Sequence, residues 1–253
     1  CLGCIPTFLW LRERGTARQL PAGESVVQRG LLRLRETWLE MRQFQDLRRL
    51  LISIFFSMAG IAIIVSFAFI YGAQVIKWDD SVRTLMFIIV QFNAAVGAIA
   101  FGILQSRIGS RFTYMLSQGL WVVAILAIWL TPEIAALARE QLGVNWQAQY
   151  VFLFAGCLAG LSLGSAQSAG RALVGLLTPA GKSAEFFGLW GTAAKLAAVF
   201  GMLGLGLLQA FFGLADAILF CLVLFAVSMW VVSSVDEARG RAAADDWREP
   251  VQR

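Results

Sequence analysis

Six long apolar stretches dominate the pattern of hydrophobic and polar positions along this 253-residue chain. Each stretch is long enough to cross the hydrocarbon core of a bilayer as a helix, which takes about 20 residues. Lipid offers the backbone no hydrogen-bond partners, so helices are the expected form, and the alternation typical of barrel strands is absent. The predicted spans are Leu50–Ala73, Thr84–Leu104, Phe112–Leu130, Tyr150–Thr178, Ala184–Phe212 and Leu214–Val235.

The composition supports the same interpretation. Hydrophobic residues make up 58% of the chain and charged residues only 15%, whereas a soluble domain has about 25% charged residues. A chain this apolar cannot cover a water-facing surface with polar groups. The predicted fold class is therefore an all-α integral membrane protein with the lipid bilayer as its solvent.

The basic residues indicate an orientation. Seventeen of the 21 Lys and Arg residues lie before the first span, in the second-to-third and fourth-to-fifth loops, and in the tail. Only Lys77, Arg83 and Arg139 lie in the opposite loops. The positive-inside rule places the basic side, and with it both ends of the chain, in the cytoplasm. The net charge of +5 is thus explained by loops, and no nucleic-acid partner is expected.

The inventory of reactive side chains argues against an enzyme. The chain has no histidine, the commonest general base and metal ligand. Cys1 and Cys4 form a C-x-x-C pair, but no second pair or histidine completes a metal site. Cys157 and Cys221 lie in apolar stretches, where a thiol acts as a small hydrophobe. We predict no catalytic residue, no metal site and no cofactor.

The order of polar and apolar segments predicts four regions. Residues 1–11 end on an apolar run and are expected to be the end of a preceding transmembrane helix, so that the chain is a fragment. Residues 12–49 form a cytoplasmic linker, in which apolar residues at helical spacing indicate an amphipathic surface helix or, alternatively, a solvated connector. Residues 50–235 form the six-helix bundle, and residues 236–253 form a cytoplasmic tail.

The loop between the second and third spans carries a motif. In "FGILQSRIGSR", the residues Gly102, Arg107, Gly109 and Arg111 match the short cytoplasmic loop of the major facilitator superfamily, which the chain resembles. That loop makes a tight turn with basic residues and an aspartate that faces a helix N-terminus. Ser106 occupies the aspartate position. A serine can still cap a helix, but it supplies no charge.

A longer motif narrows the resemblance to the vacuole effluxer, or autophagy-related permease, branch and its bacterial members. The matching residues are Gln167, Arg171, Pro179, Gly181, Ala184–Gly188 and Lys195. One departure lies in the first span, where "FSMAG" keeps only Gly60 of the Asn-Asp-Gly usual in that branch. The resemblance implies the C-terminal half of a twelve-helix fold in a bacterial inner membrane, with a missing N-terminal six-helix half as partner. It also implies alternating access, with the substrate site near the midplane.

Ionisable and polar residues inside the spans are the site candidates. Lys195 lies eleven residues into a span, near the middle of the bilayer, where a charge facing lipid is unfavourable. We interpret it as a substrate contact for a carboxylate or, alternatively, as the partner of an acid in the missing half. Gln91, Asn93 and Gln167 are substrate contacts or hydrogen bonds between helices. The gating candidates at the basic ends of the spans are Arg107, Gly109, Arg111, Arg171 and Glu185.

These observations favour a secondary transporter for a small polar solute, with amino acids or peptides as the class that the resemblance suggests. The alternative hypothesis is a half-size membrane subunit, or structural partner, without transport activity of its own. The sequence upstream of Cys1 separates the two hypotheses.

Overall fold

Six helices in the part of the chain that the structure describes are long and apolar enough to cross a membrane. The computed structural model describes residue 30, residues 40–142 and residues 147–247, and these contain helices and no strand. The predicted all-helical fold class with six spans is therefore confirmed. The helices, numbered in chain order, are α1 (Gln45–Tyr71), α2 (Asp80–Ile108), α3 (Ser110–Trp129), α4 (Thr131–Leu142), α5 (Ala148–Leu177), α6 (Ser183–Phe212), α7 (Leu214–Ala217), α8 (Phe220–Ser233) and α9 (Glu237–Asp245).

Two short helical segments extend the spans. A π-helical turn, Gly72–Ile76, continues α1, and a 3₁₀ turn, Ala180–Lys182, precedes α6. The sixth span consists of α7 and α8 together. The helix α4 is too short to be a span and connects α3 to α5.

The helices α1 and α2 extend beyond the apolar stretches. The helix α1 begins at Gln45, five residues before the predicted span, because Asp46, Arg48 and Arg49 interrupt the apolar pattern without ending the helix. The helix α2 extends four residues beyond its predicted span at each end, from Asp80 to Ile108. The predicted tail contains the helix α9, whose N-cap Asp236 accepts a hydrogen bond from the Arg239 backbone N–H at 3.0 Å. The expected helix end at 1–11, and residues 12–29 and 31–39 of the linker, lie outside the described residues.

The spans pack as two groups of three. The helix α5 packs against α2 and α3, and α1 packs against α6 and α8. The two central helices are exchanged relative to their order in the chain. The helix α1 precedes α2 and α3 in the sequence but packs against α6 and α8, whereas α5 precedes α6 and α8 but packs against α2 and α3. Contacts of α8 with α3 and of α1 with α5 join the groups. Each half of a major facilitator transporter is built from two inverted three-helix repeats, which is compatible with two groups of three.

Glycines form the contact between α2 and α5, which we name the glycine seam. Its members are Gly97 of α2 and Gly156, Gly160 and Gly164 of α5. A Cβ at Gly160 would lie 2.6 Å from the Val90 carbonyl oxygen, and a Cβ at Gly164 would collide with the Ala94 carbonyl oxygen. The sequence spacing predicts this close approach, because small residues recur at every fourth position in both spans. These stripes are Ala94, Ala98 and Gly102 in α2 and Gly156, Gly160 and Gly164 in α5. Gly102, the last residue of the α2 stripe, has no neighbour within 4 Å of a Cβ built there.

Hydrogen-bonding side chains form the contact among α1, α3 and α8, which we name the polar seam. Its members are the buried residues Ser53, Ser57, Tyr114, Gln118 and Ser228. The Ser53 hydroxyl donates to the Ser228 carbonyl oxygen at 2.8 Å and lies 2.9 Å from the Ser228 Oγ. The Ser57 hydroxyl donates to Gln118 Oε1 at 3.1 Å. Polar groups therefore hold together the three helices that join the two groups of spans.

Candidate functional site

Lys195 lies in the middle of α6 with its side chain exposed. Among the described residues, no carboxylate lies within ion-pair distance of its ammonium group. A charged lysine that faces hydrocarbon at this depth costs about 2.5–3.5 kcal/mol on insertion scales. The side chain therefore needs a polar surrounding that helices α1–α9 do not supply.

Gln167 of α5 faces α1. Its Nε2 lies 3.9 Å from the Met58 sulfur, and its Oε1 is buried without a hydrogen-bond partner among the described residues. A thioether is only a weak acceptor. The amide of Gln167 thus retains unused hydrogen-bonding capacity inside the bundle.

The two polar residues of α2 are in different surroundings. Gln91 lines a mostly apolar cavity of about 140 Å³ between α1, α2 and α5. Asn93 donates from Nδ2 to the Ile89 carbonyl oxygen of its own helix at 2.9 Å and packs beside Gly160. Lys195 does not line this cavity. The structure therefore brings Asn93 to the glycine seam and does not gather Lys195 and Gln91 around one described cavity.

The α2–α3 turn lies at the end of the bundle that holds residues 40–49, 105–111, 177–185 and 233–247, which we name the basic end. Gly109 has φ +84°, a left-handed conformation that favours glycine. Ser106 does not cap a helix, because its hydroxyl donates to the Ile103 carbonyl oxygen. The carboxylate of Glu237 instead accepts the backbone N–H of Arg111. An acid from the tail thus lies at the N-terminus of α3, where the helix dipole favours a negative charge.

The same tail segment binds the start of α1. Arg239 forms a two-pronged ion pair with Asp46, with Nε 2.7 Å from Oδ2 and Nη2 2.6 Å from Oδ1. The Asp46 side chain is only 4% exposed. Its carboxylate also accepts the Asp236 backbone N–H at 2.9 Å. Hydrogen bonding to Asp46 raises the pKa of the Arg239 guanidinium above its usual value. We name the contacts of Glu237 and Arg239 with Arg111 and Asp46 the tail clamp.

The remaining gating candidates lie in the basic end or, for Arg171, about two helical turns from it. Arg111 also donates from its guanidinium to the Ser233 carbonyl oxygen, whereas the Arg107 side chain is exposed. The Arg171 guanidinium lies 5.3 Å from the centre of the Trp190 ring, a cation–π distance. Glu185 lies in the first turn of α6, 3.8 Å from the Lys182 ammonium group. Arg111 alone of these residues takes part in the tail clamp.

Comparison with known proteins identifies the family of the chain. Residues 2–245 match the profile of the family described as "Vacuole effluxer Atg22 like". The chain belongs to this family. The resemblance seen in the two motifs is thereby confirmed, and the chain is an integral membrane protein.

The curated relatives are distant and longer. Autophagy-related protein 22-1 of Penicillium rubens is 25% identical over 252 residues, which cover 95% of this chain and 42% of the relative. The uncharacterized MFS-type transporter YxiO of Bacillus subtilis is 24% identical over 236 residues, covering 92% of this chain and 50% of the relative. The chain thus spans about half the length of the curated relatives it matches. No solved structure matches it at a significant level.

Sequence reasoning missed the tail clamp, although part of it has a local signal. Asp236 followed by Glu237 and an alanine-rich segment is the pattern of a capped helix start. The pairing of Asp46 with Arg239 joins residues 193 positions apart, and no local pattern indicates it. Among the described residues, no group of three His, Cys, Asp or Glu side chains is arranged to hold a metal ion.

Proposed function

We propose that the chain is the C-terminal half of a secondary transporter, which moves a small polar solute by alternating access against an N-terminal six-helix half. The names of the relatives support transport rather than catalysis, since the family is described as an effluxer and YxiO as an MFS-type transporter. The two exchanged groups of three helices support the major facilitator arrangement. The charge pattern supports a cytoplasmic basic end, and the bacterial relative supports a bacterial cytoplasmic membrane as the location.

The exposure of α2 and α6 supports a second half. The buried share of the most apolar part is only 6% in α2 and 17% in α6, whereas it is 61% in α1. Gln91 and Lys195 are exposed on these two helices. Because polar groups that face lipid are unfavourable, we assign the parts of these surfaces that carry Gln91 and Lys195 to contact with the other half and with the solute.

Lys195 is the observation that carries the proposal. A positive charge near the midplane, without a carboxylate partner among helices α1–α9, attracts an anionic group of a solute. For the rest of a polar molecule we propose the amides of Gln167 and Gln91 as donors and acceptors, although neither lines a described cavity together with Lys195. Amino acids and short peptides have both features, a carboxylate and polar amide or amine groups. We therefore assign this solute class.

The test is solute flux in vesicles that contain the full-length protein, with the six-helix half that we place before this chain. Lys195→Gln is expected to reduce the flux of amino acids and dipeptides to background, while Lys195→Arg keeps part of it. The matched control is Lys77→Gln, which removes a lysine from the end of the bundle opposite the basic end and should transport normally. Normal flux with Lys195→Gln would show that this lysine has only a structural role. Robust flux through this polypeptide alone, as a monomer, would contradict the two-half proposal.

A further inference from the structure

A cavity of about 660 Å³ lies between the start of α1 and the first half of α6, at the basic end. Its size falls within the range of about 300–1,000 Å³ typical of ligand pockets. Two arginines, Arg42 and Arg48, line it together with apolar side chains that include Leu51, Ile52 and Leu196. The cavity is therefore basic in one part and apolar in the rest.

The two arginines have unused hydrogen-bonding capacity. Both side chains are exposed, and neither forms an ion pair or side-chain hydrogen bond with a described residue. The neighbouring Arg49 differs, because its guanidinium donates to the Ser234 carbonyl oxygen at 2.9 Å. Guanidinium groups bind phosphate oxygens in a planar, two-pronged geometry. Arg42 and Arg48 are thus available for an anion that helices α1–α9 do not provide.

The apolar part of the cavity continues from the arginines into the membrane-spanning part of α1. Arg48 is in the first turn of α1, and Leu51 and Ile52 follow one turn further along the helix. Ile52 is 44% exposed and Leu196, across the cavity on α6, is 60% exposed. A small polar solute would leave these walls uncovered, whereas an acyl chain covers them.

We propose that this cavity binds one anionic phospholipid of the leaflet at the basic end, with its phosphate at Arg42 and Arg48 and an acyl chain between α1 and α6. Basic pockets between transmembrane helices bind anionic head groups by the same chemistry. The charge of the adjoining segment of the sequence makes it a poorer occupant. Residues 31–39 carry Arg33 and Arg35 against one acid, Glu36, and this net positive charge does not complement the cavity.

Thermal unfolding of the full-length protein in detergent tests the proposal. The unfolding midpoint is measured with phosphatidylglycerol, phosphatidylcholine or inorganic phosphate added. Phosphatidylglycerol at saturation is expected to raise the unfolding midpoint by about 5 °C more than phosphatidylcholine does. The double variant Arg42→Gln/Arg48→Gln should lose most of that difference. The matched control Arg83→Gln/Arg139→Gln removes two arginines from the opposite end of the bundle and should keep it.

A second variant tests the apolar part of the cavity without changing charge. Leu196→Trp fills the space beside Ile52 on an exposed position, so folding should persist, and it should weaken the phosphatidylglycerol effect. Three outcomes would overturn the proposal. They are an equal midpoint with both lipids, an equal loss of the lipid effect in the control variant, and a stabilisation by inorganic phosphate that matches the lipid.

Discussion

The glycine seam and the polar seam hold helices together by opposite means. At the glycine seam, helix backbones touch because side-chain atoms are absent, as at Gly164 beside the Ala94 carbonyl oxygen. At the polar seam, the helices are joined because hydroxyl and amide groups are present, as between Ser57 and Gln118. Lipid tails are as apolar as leucine, so burial of apolar side chains alone does not drive helix association in a membrane. Close packing and hydrogen bonding are the two remaining means, and this bundle uses each at a different contact.

The largest effect is expected at the glycine seam. Gly164→Ala places a Cβ against a backbone oxygen that cannot move independently of α2, and it should destabilise the bundle by about 1–3 kcal/mol. Thermal or denaturant unfolding in detergent measures the change. The control, Gly102→Ala, has open space around its Cβ and should stabilise by up to about 1 kcal/mol because alanine favours the helix. Equal changes in the unfolding free energy of the two variants would show that helix propensity, rather than close approach of the backbones, sets the stability at these positions.

A smaller effect, confined to the stability of α9, is expected at the tail clamp. Arg239→Gln removes the two-pronged contact with Asp46, so α9 should separate more often from α1. Hydrogen exchange of the backbone amides of residues 240–246 should become faster, while exchange in the spans stays the same. The control is Arg241→Gln, since Arg241 pairs with the exposed Asp245 on the outer side of the same helix. Unchanged exchange in Arg239→Gln would show that other contacts hold α9.

The polar seam should respond more weakly than the glycine seam. A double-mutant cycle of Ser57→Ala and Gln118→Leu should give a coupling of about 0.6 kcal/mol, the average for hydrogen bonds between membrane helices. Ser81→Ala combined with Gln118→Leu serves as the reference, because Ser81 is exposed at the start of α2. A coupling above about 2 kcal/mol would make the polar seam the stronger contact and reverse the comparison.

The smallest effect is expected at Tyr114. The side chains of Ser53, Ser57, Gln118 and Ser228 surround its hydroxyl, yet the buried oxygen has no hydrogen-bond partner among the described residues. Tyr114→Phe removes a hydroxyl that has four polar neighbours but no hydrogen bond of good geometry, so the unfolding free energy should change by less than about 1 kcal/mol. A loss of more than about 1 kcal/mol would show instead that an ordered water satisfies the hydroxyl.

The features that the sequence predicts are those set by local composition. The number of spans follows from apolar length, and the glycine contacts follow from the four-residue spacing of Gly156, Gly160 and Gly164. The partner of a polar residue is not encoded locally, because it depends on which helices pack together. The sequence therefore does not identify Ser53 and Ser228 as a pair, although both lie in predicted spans. The role of Lys195 remains a prediction, since its proposed partners lie outside helices α1–α9.

The exchange of the first helices between the two groups has a consequence for how the chain is made. The helix α1 leaves the ribosome well before its packing partners, and the hydrogen bond from Ser53 to Ser228 spans 175 positions. Until α8 has been synthesised, the serines of α1 have no partner on that helix. The hydroxyl of Ser53 therefore waits in the bilayer or beside an insertion factor until α8 arrives, although Ser57 already has a partner in α3. Biogenesis of this bundle is complete only when its last spanning helix arrives, and a truncation before α8 leaves Ser53 without its partner.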